Sequence, residues 1–273
     1  MNLNAPDFST FRHDDLELAY FDEGDRQAPP VLLIHGFAST AAVNWVYPGW
    51  LKTLGEAGYR VIALDNRGHG ASGKPHEPDA YRPWVMAEDA SALLDHLGIA
   101  RAHVMGYSMG ARISSFLALA RPERVRSLVL GGLGIGMTDG VGDWDPIADA
   151  LLAPSLETVE HARGRMFRSF ADQTKSDRVA LAACIRGSRD LISRDDMGTI
   201  AAPTLIGVGT KDDIAGSPQE LAALMQRAQA LDIPGRDHML AVGDRVFKAA
   251  VLEFYQRVAL EDGGSQPGGE VSA

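Results

Sequence analysis

The chain has 273 residues, 45% of them hydrophobic and 23% charged, which suits one α/β domain with or without an insertion and needs no staple to hold its core. A formal net charge of −10 repels phosphate backbones and anionic membrane surfaces, so neither nucleic acid nor a membrane is expected as a partner.

The chain opens MNLNAPDFST, with no basic stretch followed by an apolar run, so no signal peptide is expected. No uninterrupted apolar run is long enough to span a bilayer, and the expected location is the cytoplasm. Phe11–Arg12 and Leu16–Phe21 read as two short strands around a polar turn at His13–Asp15. Val31–Ile34, Arg60–Leu64, Ala102–Met105 and Val125–Leu130 are short apolar runs bounded by turn residues, the pattern of strands buried on both faces. Between them lie helical patterns over Trp50–Ala57, Pro83–Leu97 and Met109–Ala120, closed by Gly58, Gly98 and Pro122. This alternation predicts a mostly parallel sheet with helices on both faces.

The rhythm breaks after residue 130. Gly131–Gly142 is glycine-rich, and residues 143–200 contain helical patterns only. Cys184 falls in this stretch; as the chain's one cysteine it cannot form an intramolecular disulfide, and no Cys/His cluster has zinc spacing. Pro203–Val208 restores a buried strand. Met225–Gln229 is expected to end a helix, Ala230–Ile233 to form the last strand, and Asp244–Val258 an amphipathic helix. The organisation is therefore a core of residues 1–132 and 201–260, a helical lid over 133–200, and a disordered polar tail over 261–273. The lid is expected over the carboxyl ends of the strands, where open α/β sheets bind ligands.

Gly106-Tyr107-Ser108-Met109-Gly110 stands between a strand and a helix. A serine exposed at such a sharp turn needs small neighbours, and the helix that follows aims its N-terminus at the site. A serine hydroxyl attacks only if a base takes its proton. Of eight histidines, only His238 lies beyond the strand at Pro203–Val208, in a loop after the last strand. The carboxylate that orients it should follow Pro203–Val208, where Asp212 and Asp213 are both candidates. Asp237 adjoins His238 in sequence and is badly placed to hold the ring from behind. Acyl transfer also requires oxyanion donors; the backbone N–H groups of Met109 and of Phe37, in His35-Gly36-Phe37, are the candidates. His35 reads as a structural histidine. Asp65–Gly73 is glycine-punctuated but follows neither the phosphate-loop nor the dinucleotide order, so its glycines read as turn formers. His69 and Ser72 in this loop are assigned no chemistry. Trp45, Trp144, Met166, Phe167 and Phe170 are candidates for lining a substrate pocket, against the alternative of simple packing. Arg163, Arg165 and Arg168 read as a solvated face, or as a site for an acidic substrate.

Four segments carry a family resemblance: VLLIHGF, GYRVIALDNRGHGASGKP, HVMGYSMGARI, and PTLIGVGTKDD with IPGRDHM. Together they resemble the α/β-hydrolase superfamily, over roughly residues 10–260. The lid-bearing branch of small esterases, cofactor-free haloperoxidases and perhydrolases, enol-lactonases and C–C bond hydrolases is the most similar. The resemblance implies an α/β-hydrolase fold, a triad of Ser108, Asp212 and His238, and no metal or organic cofactor. It favours Asp212 over Asp213, because the acid of such relatives stands in a G-x-x-D pattern, here Gly209 to Asp212. It implies a small-molecule ester or related acyl substrate. Relatives that open epoxides or remove halides carry Asp at the elbow, where this chain has Ser108. Perhydrolase, lactone, thioester and C–C chemistry use the same site, and a slow-turnover ligand receptor on this fold is the alternative of another class.

Overall fold

The computed structural model describes residues 6–264. Eight strands form one sheet: β1 (Ser9–His13), β2 (Leu16–Glu23), β3 (Pro30–Ile34), β4 (Arg60–Leu64), β5 (Ala102–Tyr107), β6 (Val125–Gly131), β7 (Thr204–Gly209) and β8 (Ala228–Ile233). Their spatial order is β1-β2-β4-β3-β5-β6-β7-β8. The β1–β2 and β2–β4 pairs are antiparallel and all others parallel.

The strands are apolar along their whole length because both faces are covered. Successive side chains point to opposite faces, so PVLLI feeds two cores at once. Leu32 and Ile34 join Ile62, Leu64, Val104 and Leu128 in one cluster. That cluster is covered by α2 (Pro83–His96) and α3 (Met109–Ala120) through Met86, Leu93, Ile113 and Leu117. Val31 and Leu33 join Val61, Met105 and Val129 on the other face. There α1 (Trp50–Glu56) and α10 (Arg245–Gly264) supply Trp50, Leu54, Phe247, Val251 and Tyr255.

Between β6 and β7 the chain leaves the sheet for α4 (Gly136–Asp139), α5 (Asp145–Leu152), α6 (Ala162–Gln173), α7 (Arg178–Gly187) and α8 (Arg194–Thr199). The side chains of this stretch, over 133–200, fall into two packing clusters. Leu133 and Met137 at its start, and Ile192, Met197 and Ile200 at its end, belong to the main core. The separate cluster is narrower, built on Trp144, Ile147, Leu151, Ala171, Leu181 and Ile185, and it rests on Ala38 and Phe37.

Three boundaries differ from the sequence reading. His13 lies in β1 rather than in the turn, opposite Leu16, and its ring is 2.7 Å from the Asp89 carboxylate. The helix before β8, α9 (Pro218–Leu224), stops earlier than the pattern suggests. Met225 is already extended (φ −106°, ψ 145°), so that Ala228 can pair with Thr204. The C-terminal helix runs past Val258 to Gly264, so 261–264 are helical rather than disordered. Asp262 is held by Arg126 at 2.8 Å, and Glu261 by Arg227. The rest of the expected tail, 265–273, lies outside the described residues. Among the described residues, no helix is long and apolar enough to cross a membrane.

Candidate active site

The site sits where β3, β5, β7 and β8 end. Ser108 joins β5 to α3 with φ 54° and ψ −114°, a conformation costly for any side chain. Its surroundings enforce this turn. A Cβ on Gly106 would lie 2.1 Å from the Gly110 carbonyl oxygen, and one on Gly110 would lie 2.0 Å from that of Ile34. Both obstacles are backbone, so nothing larger than glycine fits. The Ser108 N–H donates to the Gly131 carbonyl at 2.8 Å, tying the elbow to β6.

Ser108 Oγ is 3.0 Å from His238 Nε2. His238 Nδ1 is 2.8 Å from Asp212 Oδ2. The structure thus brings together three residues separated by 130 and 26 positions. His238 is further held by Tyr107, whose hydroxyl donates to the His238 carbonyl at 2.6 Å. The Asp212 side chain is wholly buried, and its Oδ1 accepts from the N–H groups of Ile214 (2.9 Å) and Ala215 (3.0 Å). Burial alone would push this carboxyl up. The His238 ring and the two N–H donors outweigh it and hold the carboxyl below its ordinary value. Asp213, by contrast, points outward at 81% exposure and faces Arg163 at 3.5 Å. Asp237 accepts from the Met239 and Leu240 N–H groups and does not bond the imidazole.

Phe37 and Met109 line one cavity with Ser108. Met109 opens α3, so its N–H has no partner within the helix. The His35-Gly36-Phe37 loop lies directly against the elbow: a Cβ on Gly36 would touch the Tyr107 carbonyl oxygen at 3.2 Å and Ser108 Cβ at 3.4 Å. Buried histidines fix this loop. His35 Nε2 accepts from the Asn66 N–H at 2.9 Å while Nδ1 donates to the Gly36 carbonyl at 2.8 Å. His69 Nε2 accepts from the Ala38 N–H at 3.1 Å and Nδ1 donates to the Arg67 carbonyl at 2.9 Å. Desolvation lowers the His35 pKa to about 4 and the His69 pKa to about 3, so both rings are neutral at neutral pH. Asp65 braces the same region, accepting from the Ala41 and Ala71 N–H groups, and Ser72 donates to the Asp65 carbonyl.

The cavity measures about 60 Å³. Of the residues expected to line it, Trp144 does so. Phe167 stands behind, its ring 5.4 Å from that of Phe37 and 5.9 Å from that of Trp144. Phe170 packs into the same cluster. Met166 is solvent-exposed on α6. Trp45 is on the opposite face of the sheet, stacked edge-on to Trp50 at 6.4 Å. The apolar pattern marked Trp45 and Trp144 for burial but not which side of the sheet each would reach. Arg163, Arg165 and Arg168 are absent from the lining; Arg168 is buried, bonding the Ala150 and Ala153 carbonyls. The lining instead includes Arg112, Leu133, Val141, Ile185, Ser188, Arg189 and Ile214, none of them singled out from sequence. For Arg112 a signal existed: it is the one charge in MGARISSFLALA, four residues after Ser108 and so on the same helical face. Among the described residues, no group of three or more His, Cys, Asp or Glu side chains is placed to hold a metal.

A family description of the alpha/beta hydrolase fold matches residues 29–159. A Mycobacterium tuberculosis protein provisionally named as the non-heme bromoperoxidase BpoC is 31% identical over 89% of this chain and 99% of its own. The chain belongs to the α/β-hydrolase family. A hydrolase from Pseudomonas aeruginosa superposes on this α/β-hydrolase with a TM-score of 0.72 at 28% identity, over 92% of this chain and 99% of its own. A provisionally named aryl esterase from Burkholderia cenocepacia shares the fold, with a TM-score of 0.75 at 20% identity, over 93% of this chain and 100% of its own. Other relatives carry the names of a diacylglycerol lipase, epoxide hydrolases and a 2-hydroxy-6-oxononadienedioate/2-hydroxy-6-oxononatrienedioate hydrolase.

Proposed function

We propose that this α/β-hydrolase cleaves carboxylic esters through an acyl-enzyme on Ser108. The observation that carries the reading is the unbroken chain of contacts from Ser108 Oγ through His238 to the buried Asp212, at 3.0 and 2.8 Å. Ser108 Oγ attacks the ester carbonyl carbon as its proton passes to His238 Nε2. The oxyanion forms beside the Phe37 and Met109 N–H groups. As the intermediate collapses, the alkoxide leaves and takes the proton from His238. Water then attacks the acyl-enzyme, giving its proton to His238 and restoring Ser108 as the acid departs. Asp212 fixes the ring with Nδ1 as donor and stabilises the imidazolium. Serine at the elbow disfavours epoxide opening. The α5–α7 cap roofs the cavity through Trp144 and Ile185, and we assign it the role of a lid.

The test is a panel of p-nitrophenyl esters of rising acyl length, run on the wild type and on Ser108→Ala. Multiple turnover that vanishes in the variant supports the reading. No turnover of any ester, or turnover that persists without Ser108, overturns it and leaves the receptor alternative.

A second reading follows from the name of the BpoC relative. Hydrogen peroxide in place of water would attack the same acyl-enzyme and release a peracid. Peracid formed from a short ester and peroxide, lost in Ser108→Ala, would support it.

A further inference from the structure

Four arginines are buried among the described residues: Arg60, Arg67, Arg112 and Arg168. Three hold a carboxylate. Arg60 bonds Asp22 at 2.8 and 2.9 Å, Arg67 grips Asp89 at 2.6 and 2.7 Å, and Arg168 bonds Asp172 at 2.9 Å. Arg112 is the exception. Its Nη1 donates to the carbonyls of Met137 and Asp190, both at 3.0 Å, and its Nη2 to that of Gly136 at 3.1 Å. All three acceptors are neutral. The carboxylate of Asp190 faces Arg82 instead, at 3.5 Å, and no described carboxylate reaches Arg112 within salt-bridge distance. Burial lowers the Arg112 pKa to about 10, which leaves it charged at neutral pH. A buried charge normally has a paired counter-charge; Arg112 has the Asp190 carboxylate nearby, which favours its charge, but no carboxylate bonded to it among the described residues.

The position of Arg112 says where that counter-charge belongs. It lies one helical turn after Ser108 on α3 and lines the same cavity. The lining holds two arginines and no aspartate or glutamate, in a chain of net charge −10. The other, Arg189, already has Asp145 at 2.9 Å. The rest of the wall is mainly apolar, from Leu133, Val141, Trp144 and Ile214, surfaces suited to methylene groups.

We infer that the substrate carries a carboxylate, joined by a short aliphatic chain to the carbonyl that Ser108 attacks, and that Arg112 receives it. The class is a monoester of a short dicarboxylic acid. The inference rests on the ester-hydrolase reading and adds the substrate class to it. Arg112 is a specificity residue: its planar fork suits a carboxylate, and its three carbonyl bonds hold it in place before the ligand arrives.

Two measurements test this, one of them independent of turnover. The first compares kcat/KM for monomethyl glutarate with that for methyl pentanoate, by proton release at constant pH. A charge-assisted pair predicts a preference for the half-ester of roughly 10–100-fold in the wild type, collapsing toward unity in Arg112→Gln and partly recovered in Arg112→Lys. A purely structural Arg112 would lower both rates together and leave the ratio unmoved, which overturns the inference. The second measures binding of glutarate and of pentanoate by calorimetry. Tighter glutarate binding in the wild type that is lost in folded Arg112→Gln supports the site even if no ester is turned over, in which case only the ester reading fails. Should Arg112→Gln not fold, the wild type decides alone: glutarate at least tenfold tighter than pentanoate supports the inference, and equal or weaker binding overturns it. Rapid hydrolysis of methyl pentanoate without preference for the half-ester overturns it too, while the ester reading survives.

Discussion

Replacing Asp212 by asparagine changes one atom, and the structure says what that atom does. Oδ1 accepts two backbone N–H groups, from Ile214 and Ala215. An amide nitrogen cannot accept either, so the asparagine oxygen must take that position. Its NH₂ group then faces His238 Nδ1, which is 2.8 Å away in the wild type. Nδ1 has to become the acceptor, and the ring proton moves to Nε2, the atom 3.0 Å from Ser108 Oγ. The base we propose would then donate a hydrogen to the nucleophile it should deprotonate. The fold and contacts survive, but the tautomer is wrong. The comparable change in a well-studied triad lowers kcat by about 10⁴, or roughly 5 kcal/mol of barrier. The assay is steady-state hydrolysis of a p-nitrophenyl ester by wild type, Asp212→Asn and Asp213→Asn. Asp213 is exposed and paired only with Arg163, so its variant should stay within a few-fold of wild type. If Asp212→Asn retains more than a tenth of the activity, or Asp213→Asn falls as far, the orienting role assigned to Asp212 is wrong.

Other consequences follow from the same geometry. Gly110→Ala places a Cβ against the Ile34 carbonyl, and should cost about 1–3 kcal/mol in urea unfolding and displace the elbow; an unchanged midpoint would show that β3 yields freely. Acid should destabilise the fold through its buried neutral histidines. The His35 pKa of about 4 lies below the ordinary 6.5 or so of the unfolded chain, so the unfolded state takes up the proton first. Its contribution is complete above roughly pH 6.5 and is lost as pH falls toward 4, by on the order of 2 kcal/mol between pH 7 and 5. Urea midpoints across that range, with His69 and His103 adding in the same direction, check the sign; flat stability would contradict neutral burial. Trp45→Phe should leave ester turnover within about twofold, because Trp45 lies across the sheet from the site. It should cost about 1–2 kcal/mol of stability, because the smaller ring leaves a void where the indole was fully buried, offset in part by removal of an indole N–H with no partner among the described residues. A large loss of kcat with an intact fold would return Trp45 to the pocket.

Much of the architecture was legible because it depends on local pattern. A short apolar run such as RVIAL, bounded by turn residues, reads as a strand buried on both faces, and GYSMG between a strand and a helix prescribes a crowded elbow. The hidden parts depend on side-chain direction. Trp45 and Trp144 look alike in the sequence, yet one packs beneath the sheet and the other roofs the cavity. Which residues of 133–200 join the separate cluster was hidden for a similar reason. Ile192 and Met197 have the same apolar spacing as true cap residues, but they face the main core.

From the linear chain alone came the sheet with its covered faces, the serine at its turn, and the place beyond the strand at Pro203–Val208 that nominated His238. Choosing between Asp212 and Asp213 on physical grounds needed three dimensions, since adjacent residues in a loop differ only in which one points inward. The same holds for Arg112. Nothing in a string of letters shows that a guanidinium meets three carbonyls and no carboxylate, because a charge is compensated by what surrounds it in space, not by what precedes it along the backbone.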